Sequence, residues 1–134
     1  MKLVSVYKLD DPFNLLYRLL KERESFHNIS HKEMPTWEDH VKFVLSRPYR
    51  VWYAIEDVDL VGSCYLSKKR EIGVFVLKEF QGKGYGTFAV KDMMRRWPGR
   101  LLANINPENK VSQAFFQKMG FGGPIQYTYE YGLQ

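Results

Sequence analysis

Between two apolar stretches the chain reads Val76-Leu77-Lys78-Glu79-Phe80-Gln81-Gly82-Lys83-Gly84-Tyr85-Gly86-Thr87. Glycines at 82, 84 and 86 let a backbone approach a ligand with no Cβ in the way. Lys83 adds a positive charge. A strand-like run precedes the segment and a helical pattern follows it. The glycines therefore stand at a helix N-terminus, where N–H groups lack intrahelical partners and the dipole favours an anion. The chemistry implied is the holding of a phosphate. Two common phosphate motifs are excluded. A dinucleotide fingerprint needs Gly where Thr87 stands, and a P-loop needs Ser or Thr where Gly84 follows Lys83. On the glycines alone, a plain flexible turn explains the pattern as well as a ligand does.

Other side chains carry chemistry of their own. Glu71 opens an apolar strand, beside the Lys68-Lys69-Arg70 cluster that offers it an ordinary surface ion pair. His40 lies in a helical pattern and titrates near neutrality by nature. Ser112 follows Asn109 by three positions and so shares its helical face. It is either a hydroxyl for chemistry or a small packing residue bonded to its own backbone. His27 and His31 are four apart, but the zinc-protease Glu is missing between them and no further ligands stand nearby. A loop-anchoring role is the simpler reading, and no metal is expected. Cys64 sits inside an apolar run as a small core residue. Arg95, Arg96 and Arg100 gather at a helix end, which suits the dipole without any nucleic acid.

The elements that must position these groups can be read from the same chain. It has 134 residues, a length that fits one domain spanning residues 1–134 with a real core. Hydrophobic residues are 45% and charged residues 26%, a globular composition. The net charge of +5 favours an anionic ligand without choosing among nucleotide, phosphorylated metabolite and nucleic acid. A single cysteine excludes an internal disulfide and any multi-Cys zinc site, and is compatible with a reducing, cytoplasmic setting. No apolar run is long enough to span a bilayer, and the first residues do not form a secretory signal.

Alternation predicts a strand over Leu3–Leu9. Asp10-Asp11-Pro12 starts a helix to about Phe26, and Thr36 caps a second helix that ends before Pro48. Arg50–Glu56, Leu60–Ser67 and Glu71–Leu77 read as an antiparallel meander. A helix carrying Phe88, Val90, Met93 and Met94 follows the glycines and stops at Pro98-Gly99. Leu101–Ile105 is a strand, and Asn109–Met119 a helix stopped by Gly120. In the tail, Ile125, Tyr127, Tyr129 and Tyr131 alternate, which predicts a last strand or hairpin whose tyrosines share one face. That face serves as core, as a dimer surface or as one wall of an acceptor pocket, with Trp52, Tyr53 and Tyr65 on the other side. The sum is an α/β (α+β) domain: a mixed central sheet with helices on both faces, in the order β-α-α-β-β-β-α-β-α-β(-β).

Two stretches give the chain a resemblance. Gln81, Gly84 and Gly86, placed after Val76, resemble the acyl-coenzyme A signature of the GNAT acetyltransferases. Asn109-Lys110-Val111-Ser112 through Phe116 to Gly120-Phe121 resembles that family's last helix. The order of elements is similar from end to end. The resemblance implies that acetyl-CoA binds where the strand ending at Val76 splays from Leu101–Ile105. Its arm would pair with the backbone near Phe75 and Val76, and the Val76 N–H would polarise the thioester carbonyl. Gly82, Lys83, Gly84, Tyr85, Gly86 and Thr87, with Gln81, would receive the pyrophosphate. Arg95, Arg96 and Arg100 would be within reach of the ribose phosphate. Asn109 and Phe116 would line the thiol end.

Much of the family has a Tyr acid where this chain has Phe116. A branch that acetylates protein N-termini lacks it too, and the resemblance passes the acid role to Ser112. Glu71, working through water, is the implied base, with His40 the second candidate. His40, Glu71-Ile72-Gly73 and Asn106-Pro107 lean the resemblance toward an amino-sugar nucleotide as acceptor. A protein N-terminus or a small amine is the runner-up. The implied protein uses no metal, nucleic acid or membrane, and a homodimer is allowed. The rival from another class is a non-catalytic acyl-CoA-binding protein, for which Phe116 is the best support.

Overall fold

The computed structural model describes residues 1–23 and 34–132. His27 and His31 lie outside the described residues, as does the expected end of the first helix at Phe26. The chain runs β1 (Lys2–Ser5), a 3-10 turn (Val6–Lys8), α1 (Phe13–Lys21), α2 (Trp37–Leu45), β2 (Val51–Glu56), β3 (Leu60–Leu66) and β4 (Glu71–Val76). It continues through a second 3-10 turn (Lys78–Phe80), α3 (Tyr85–Arg96), β5 (Leu102–Ala103) and α4 (Lys110–Lys118).

The strands form one sheet in the order β1-β2-β3-β4-β5. The first three pairings are antiparallel; the first 3-10 turn, α1 and α2 lie between β1 and β2, while short turns join β2 to β3 and β3 to β4. One of those turns closes on Arg70, which takes a positive φ of 67°. Its guanidinium reaches across to the carbonyls of Trp97, Pro98 and Arg100 and ties the turn to the end of α3. The β4–β5 pairing is parallel, as the crossover through α3 requires.

Alternation along the strands divides the core between the two faces. On one face Ile72, Val74 and Val76 pack with Ala89, Val90, Met93 and Phe116 of α3 and α4. On the other, Phe75, Tyr65 and Trp52 pack with Leu15, Leu16 and Leu19 of α1 and Val44 of α2. Cys64 is fully buried in the first cluster, and burial pushes its thiol up to about 12. Helix ends are set as the sequence predicts. Asp11 Oδ1 accepts from the Phe13 N–H at 3.0 Å, and Thr36 Oγ1 from the Asp39 N–H at 3.2 Å.

His40 is a core residue. It is 2% exposed, and its Nε2 donates to the Phe13 carbonyl at 3.1 Å, which leaves Nδ1 without a hydrogen. The rings of Tyr17 and Trp37 stand 4.9 and 5.8 Å away. Burial pushes its pKa below the ordinary value.

Three expected strands come out differently; the one expected over Leu101–Ile105 is confined to Leu102–Ala103. β1 stops at Ser5 rather than Leu9, because the Ser5 hydroxyl accepts from the Tyr7 N–H and closes a 3-10 turn, while Tyr7 Oη donates to the Val44 carbonyl. The tail expected as a strand from Phe121 to Tyr131 has no regular structure. Its side chains Ile125, Tyr127, Tyr129 and Tyr131 are exposed, so they are neither core nor a pocket wall within this chain. A strand exists through its partner's hydrogen bonds. β5 is two residues long and gives the tail little edge to join. Among the described residues no helix is long and apolar enough to cross a membrane.

Two outcomes follow from the core. A Cβ at Gly62 would stand 2.3 Å from the Phe75 carbonyl oxygen, so β3 and β4 must part to admit it. Gly62→Ala is expected to lower unfolding stability by about 1–3 kcal/mol, read by chemical denaturation. The lowered pKa of His40 means that the unfolded chain binds its proton first. Its stabilising share is complete above the ordinary value of 6.5 and is lost as pH falls through and below it. The wild-type melting midpoint is therefore expected to drop between about pH 7.5 and pH 5.5 by more than that of His40→Gln, measured side by side.

Candidate active site

The site begins where the sheet comes apart. Glu71 and Ile72 pair with Leu102 and Ala103, and β5 ends there. Beyond that point Gly73–Val76 has β3 on one side and no strand on the other. In an antiparallel pair the polar groups of successive residues point to opposite edges. The Glu71 carbonyl accepts from the Ser67 N–H, and the Leu77 N–H donates to the Val61 carbonyl. Glu71, Gly73 and Phe75 thus spend their backbone groups on β3, and Val74 and Val76 present theirs to the gap. The sequence expectation placed the exposed backbone at Phe75 and Val76; the alternation moves it to Val74 and Val76. Phe75 contributes its ring to the opposite face instead.

The gap is a cleft of about 1060 Å³. The parted strands form its walls through Val74, Val76, Asn104 and Ile105, and α4 closes one end with Asn109, Ser112, Phe115 and Phe116. At the other end the cleft runs onto Gln81, Gly82, Gly84, Tyr85, Gly86 and Thr87. Gly82 and Gly84 take φ values of 78° and 87°, the left-handed region that side chains avoid, with open space where a Cβ would be. Gly84 is the cap of α3, and its carbonyl accepts the first helical bond, from the Phe88 N–H. The N–H groups of Tyr85, Gly86 and Thr87 are left pointing out of the helix end. Gln81 folds back, its Nε2 donating to the Val76 carbonyl at 2.9 Å, which leaves the Val76 N–H as that residue's free group. Lys83 stands over the Phe80 ring at 5.7 Å. Tyr85 Oη is held by Asp57 at 2.7 Å, so the β2–β3 turn supports the loop from outside.

The expected acid–base residues are separated by the fold. Glu71 is half-buried on the cleft wall. Its carboxylate accepts from Ser67 Oγ at 3.0 Å and from Asn104 Nδ2 at 2.6 Å. These donors, and not the neighbouring Lys68-Lys69-Arg70 cluster, fix its direction. Ser112 lines the cleft from the first turn of α4, and its N–H donates to Asn109 Oδ1 at 3.1 Å. Asn109 is therefore the cap of α4 and a wall of the cleft at once. Phe116 fills the inner end and carries no hydroxyl. His40 does not line this cleft; it borders a smaller cavity of about 60 Å³ behind Phe75. Arg95 and Arg96 are engaged by Asp92, and Arg96 also covers the Tyr53 ring at 5.1 Å, which takes Tyr53 to the α3 side. Trp52 and Tyr65 line the small cavity behind Phe75.

Three contributors escaped the sequence reading. Val74 follows from the strand's period of two, once the bonded edge of β4 is known. Asn104 lay within an expected strand and is free to turn to Glu71 because β5 ends at Ala103. Arg23 lay at the end of a predicted helix, with nothing in its spacing to place it against β4.

What the arrangement can do is hold a long, partly anionic molecule: free strand backbone for an amide-bearing arm, and glycine N–H groups for its phosphates. Comparison with known proteins agrees. The pattern of the Acetyltransferase (GNAT) family matches residues 13–121. The chain is 32% identical over 72 residues to the peptidyl-lysine N-acetyltransferase YjaB of Salmonella typhimurium, a match covering 53% of this chain and 49% of that protein. It thus spans about half the length of that curated relative. Among solved structures, an acetyltransferase from Thermus thermophilus superposes with a TM-score of 0.70 at 24% identity, over 90% of this chain and 86% of that one. The yncA protein of Salmonella typhimurium, solved with its cofactor acetyl-CoA, superposes at 0.63 with 14% identity, over 90% and 77%. These structures share the fold, and the matched pattern settles the family: the chain belongs to the Acetyltransferase (GNAT) family.

Proposed function

We propose that this protein moves an acetyl group from acetyl-CoA to a primary amine by direct attack in a ternary complex. The observation that carries the reading is the free backbone of Val74 and Val76, which opens directly onto the glycine-turned N-terminus of α3. The N–H groups from Gly82 to Thr87 would hold the pyrophosphate, and Val74 and Val76 the amides of the arm. Asn109, Ser112 and Phe116 would enclose the thiol end. Acetyl-CoA supplies an activated thioester, so no covalent enzyme intermediate is needed.

The chain's own residues then divide the work. The Val76 N–H holds the negative charge that builds on the thioester oxygen. Glu71, with two of its lone-pair directions taken by Ser67 and Asn104, accepts the ammonium proton through a water. A carbon–nitrogen bond forms as the carbon–sulfur bond breaks, and Ser112, or a water it holds, returns a proton to the sulfur. His40 takes no step in this scheme, because it is buried with its Nε2 hydrogen on Phe13. The acceptor approaches from the Glu71 and Phe75 face of β4, opposite the helices that hold the donor. An amino-sugar nucleotide, a protein N-terminus and a small amine each bring the required nitrogen. Peptidyl lysine, the acceptor in the name of YjaB, belongs in the same panel.

Calorimetric titration with acetyl-CoA, followed by thiol release over that panel, tests the reading. Acetyl-CoA at about a hundred times its Kd is expected to add about 2.7 kcal/mol of stability, with no such gain from ATP or NAD. Glu71→Gln is expected to lower kcat/KM by about 10²–10⁴, with acetyl-CoA binding unchanged. Ser112→Ala should lower kcat while the Kd for acetyl-CoA holds; full turnover in that variant removes Ser112 from the scheme. Binding of acetyl-CoA with no thiol released to any amine would instead leave a binding protein, as Phe116 in place of a tyrosine allows.

A further inference from the structure

Behind the cleft, on the acceptor face of β4, lies the cavity of about 60 Å³. It shares Leu19, Arg23, Tyr49, Tyr65 and Phe75 with the main cleft, so the two spaces meet along one wall. Tyr65 lies across Gly73, whose missing Cβ would be 2.3 Å from the ring, and Tyr49 stacks on Tyr65 with ring centroids 3.9 Å apart. Leucines and Phe43 line most of the rest, with Ser63 and His40 as further polar residues and Arg23 as the one permanent cation of the lining. Arg23 stands over the Phe75 ring, its guanidinium carbon 3.9 Å from the centroid.

Arg23 has no counter-ion among the described residues. Its Nε is buried without a hydrogen-bond partner. Of the two acids adjacent to it in sequence, Glu24 lies outside the described residues, and Glu22 is used elsewhere: Oε1 accepts from the Lys78 N–H at 2.7 Å, and Oε2 faces Arg18. Glu71 is held by Ser67 and Asn104. The groups that act on Arg23 are tyrosines 49 and 65, and burial weakens its hold on its proton. A second donor on the same cavity, Trp52 Nε1, is also buried and unpaired. Unpaired buried donors, one of them charged, are costly in a free chain. They are what a planar anion would satisfy, since the guanidinium fork matches a carboxylate.

We propose that Arg23 binds the carboxylate of the acceptor, and that the acceptor is a small aminocarboxylate. This rests on the acetyl-transfer reading above. Phe75 precedes Val76, where the thioester carbonyl is assigned, and Glu71 lies on the same face of the strand. An amine placed for attack at Val76 therefore lies close to the guanidinium stacked on Phe75. Amine and carboxylate must be separated by few bonds, as in an α- or β-amino acid. The apolar remainder of the cavity takes the rest of a small side chain. A single cation suits a monoanion; a diphosphate would ask for more.

The test uses free amino acids, each beside its carboxamide and its decarboxylated amine. Thiol release is measured with acetyl-CoA, and melting shifts are measured on protein saturated with coenzyme A. At least one amino acid is expected to exceed its amide by about tenfold or more in kcat/KM, a difference of about 1.4 kcal/mol. Arg23→Met should raise KM for that amino acid by at least about tenfold, with kcat, the amide's KM and acetyl-CoA affinity little changed, and Arg23→Lys should restore part of the loss. The proposal is overturned if acetyl-CoA binds normally but no amino acid is turned over or bound better than its amide. It is also overturned if Arg23→Met weakens acid and amide alike, which marks a packing role. A protein that does not bind acetyl-CoA at all fails at the earlier reading, and that result is distinct from both.

Discussion

The site depends on one structural constraint, the early end of β5. Parallel pairing with β4 begins at Glu71 and Leu102 and is over by Ala103. Had β5 run on, Val74 and Val76 would have bonded to it and the sheet would have been closed. Three local features follow the stop. Asn104 turns its amide to Glu71, Pro107 cannot donate to a ladder, and the chain must reach Asn109 to start α4. The same short stretch thus frees the backbone of β4, aims the carboxylate on it and delivers the helix that closes the cleft. A longer β5 would bury more surface and remove all three.

β4 does two jobs because a strand alternates. Its even positions from 72 to 76 carry side chains into the α3–α4 core, and beyond Ile72, which pairs with Ala103, their backbone groups face the gap. Its odd positions carry Glu71, the Gly73 space under Tyr65, and Phe75 toward α1 and α2. On the proposed reading, donor and acceptor take opposite faces of these six residues and meet at the edge. Gly73 matters for this reason: any side chain there would displace Tyr65 and the tyrosine stacked on it.

Much of this was legible in the sequence. The meander, the crossover and the glycine turn were set by local signals: period-two runs, short polar turns, and a cap that needs positive φ at Gly84. Asn109 and Ser112 were placed on one helical face by spacing alone, and the structure adds that the first caps the second's N–H. What was not legible depends on pairing across the fold. Which edge of β4 is bonded decides between Phe75 and Val76 as a polar wall, and no local pattern states it. The alternation of Tyr127, Tyr129 and Tyr131 is a good strand pattern, yet it produces no strand where β5 gives it so little to pair with. His40 looked available because its type titrates near neutrality; the Phe13 carbonyl and two neighbouring rings made it a packing residue.

Arg23 and His40 show why a buried polar group has to be weighed by what satisfies it. Both border the cavity behind Phe75, and both keep one atom without a partner. His40 resolves the cost by remaining neutral: burial lowers its pKa, and one hydrogen bond is enough for the ring. Arginine has no such route, since its guanidinium stays charged at any physiological pH even where burial lowers its pKa. Stacking on Phe75 recovers part of the lost hydration, and no carboxylate among the described residues recovers the rest. A charge in that position is retained against its own desolvation only if something else benefits from it. In the acetyl transfer proposed above, with an amine brought to Val76, the group that benefits is an anion carried by the amine.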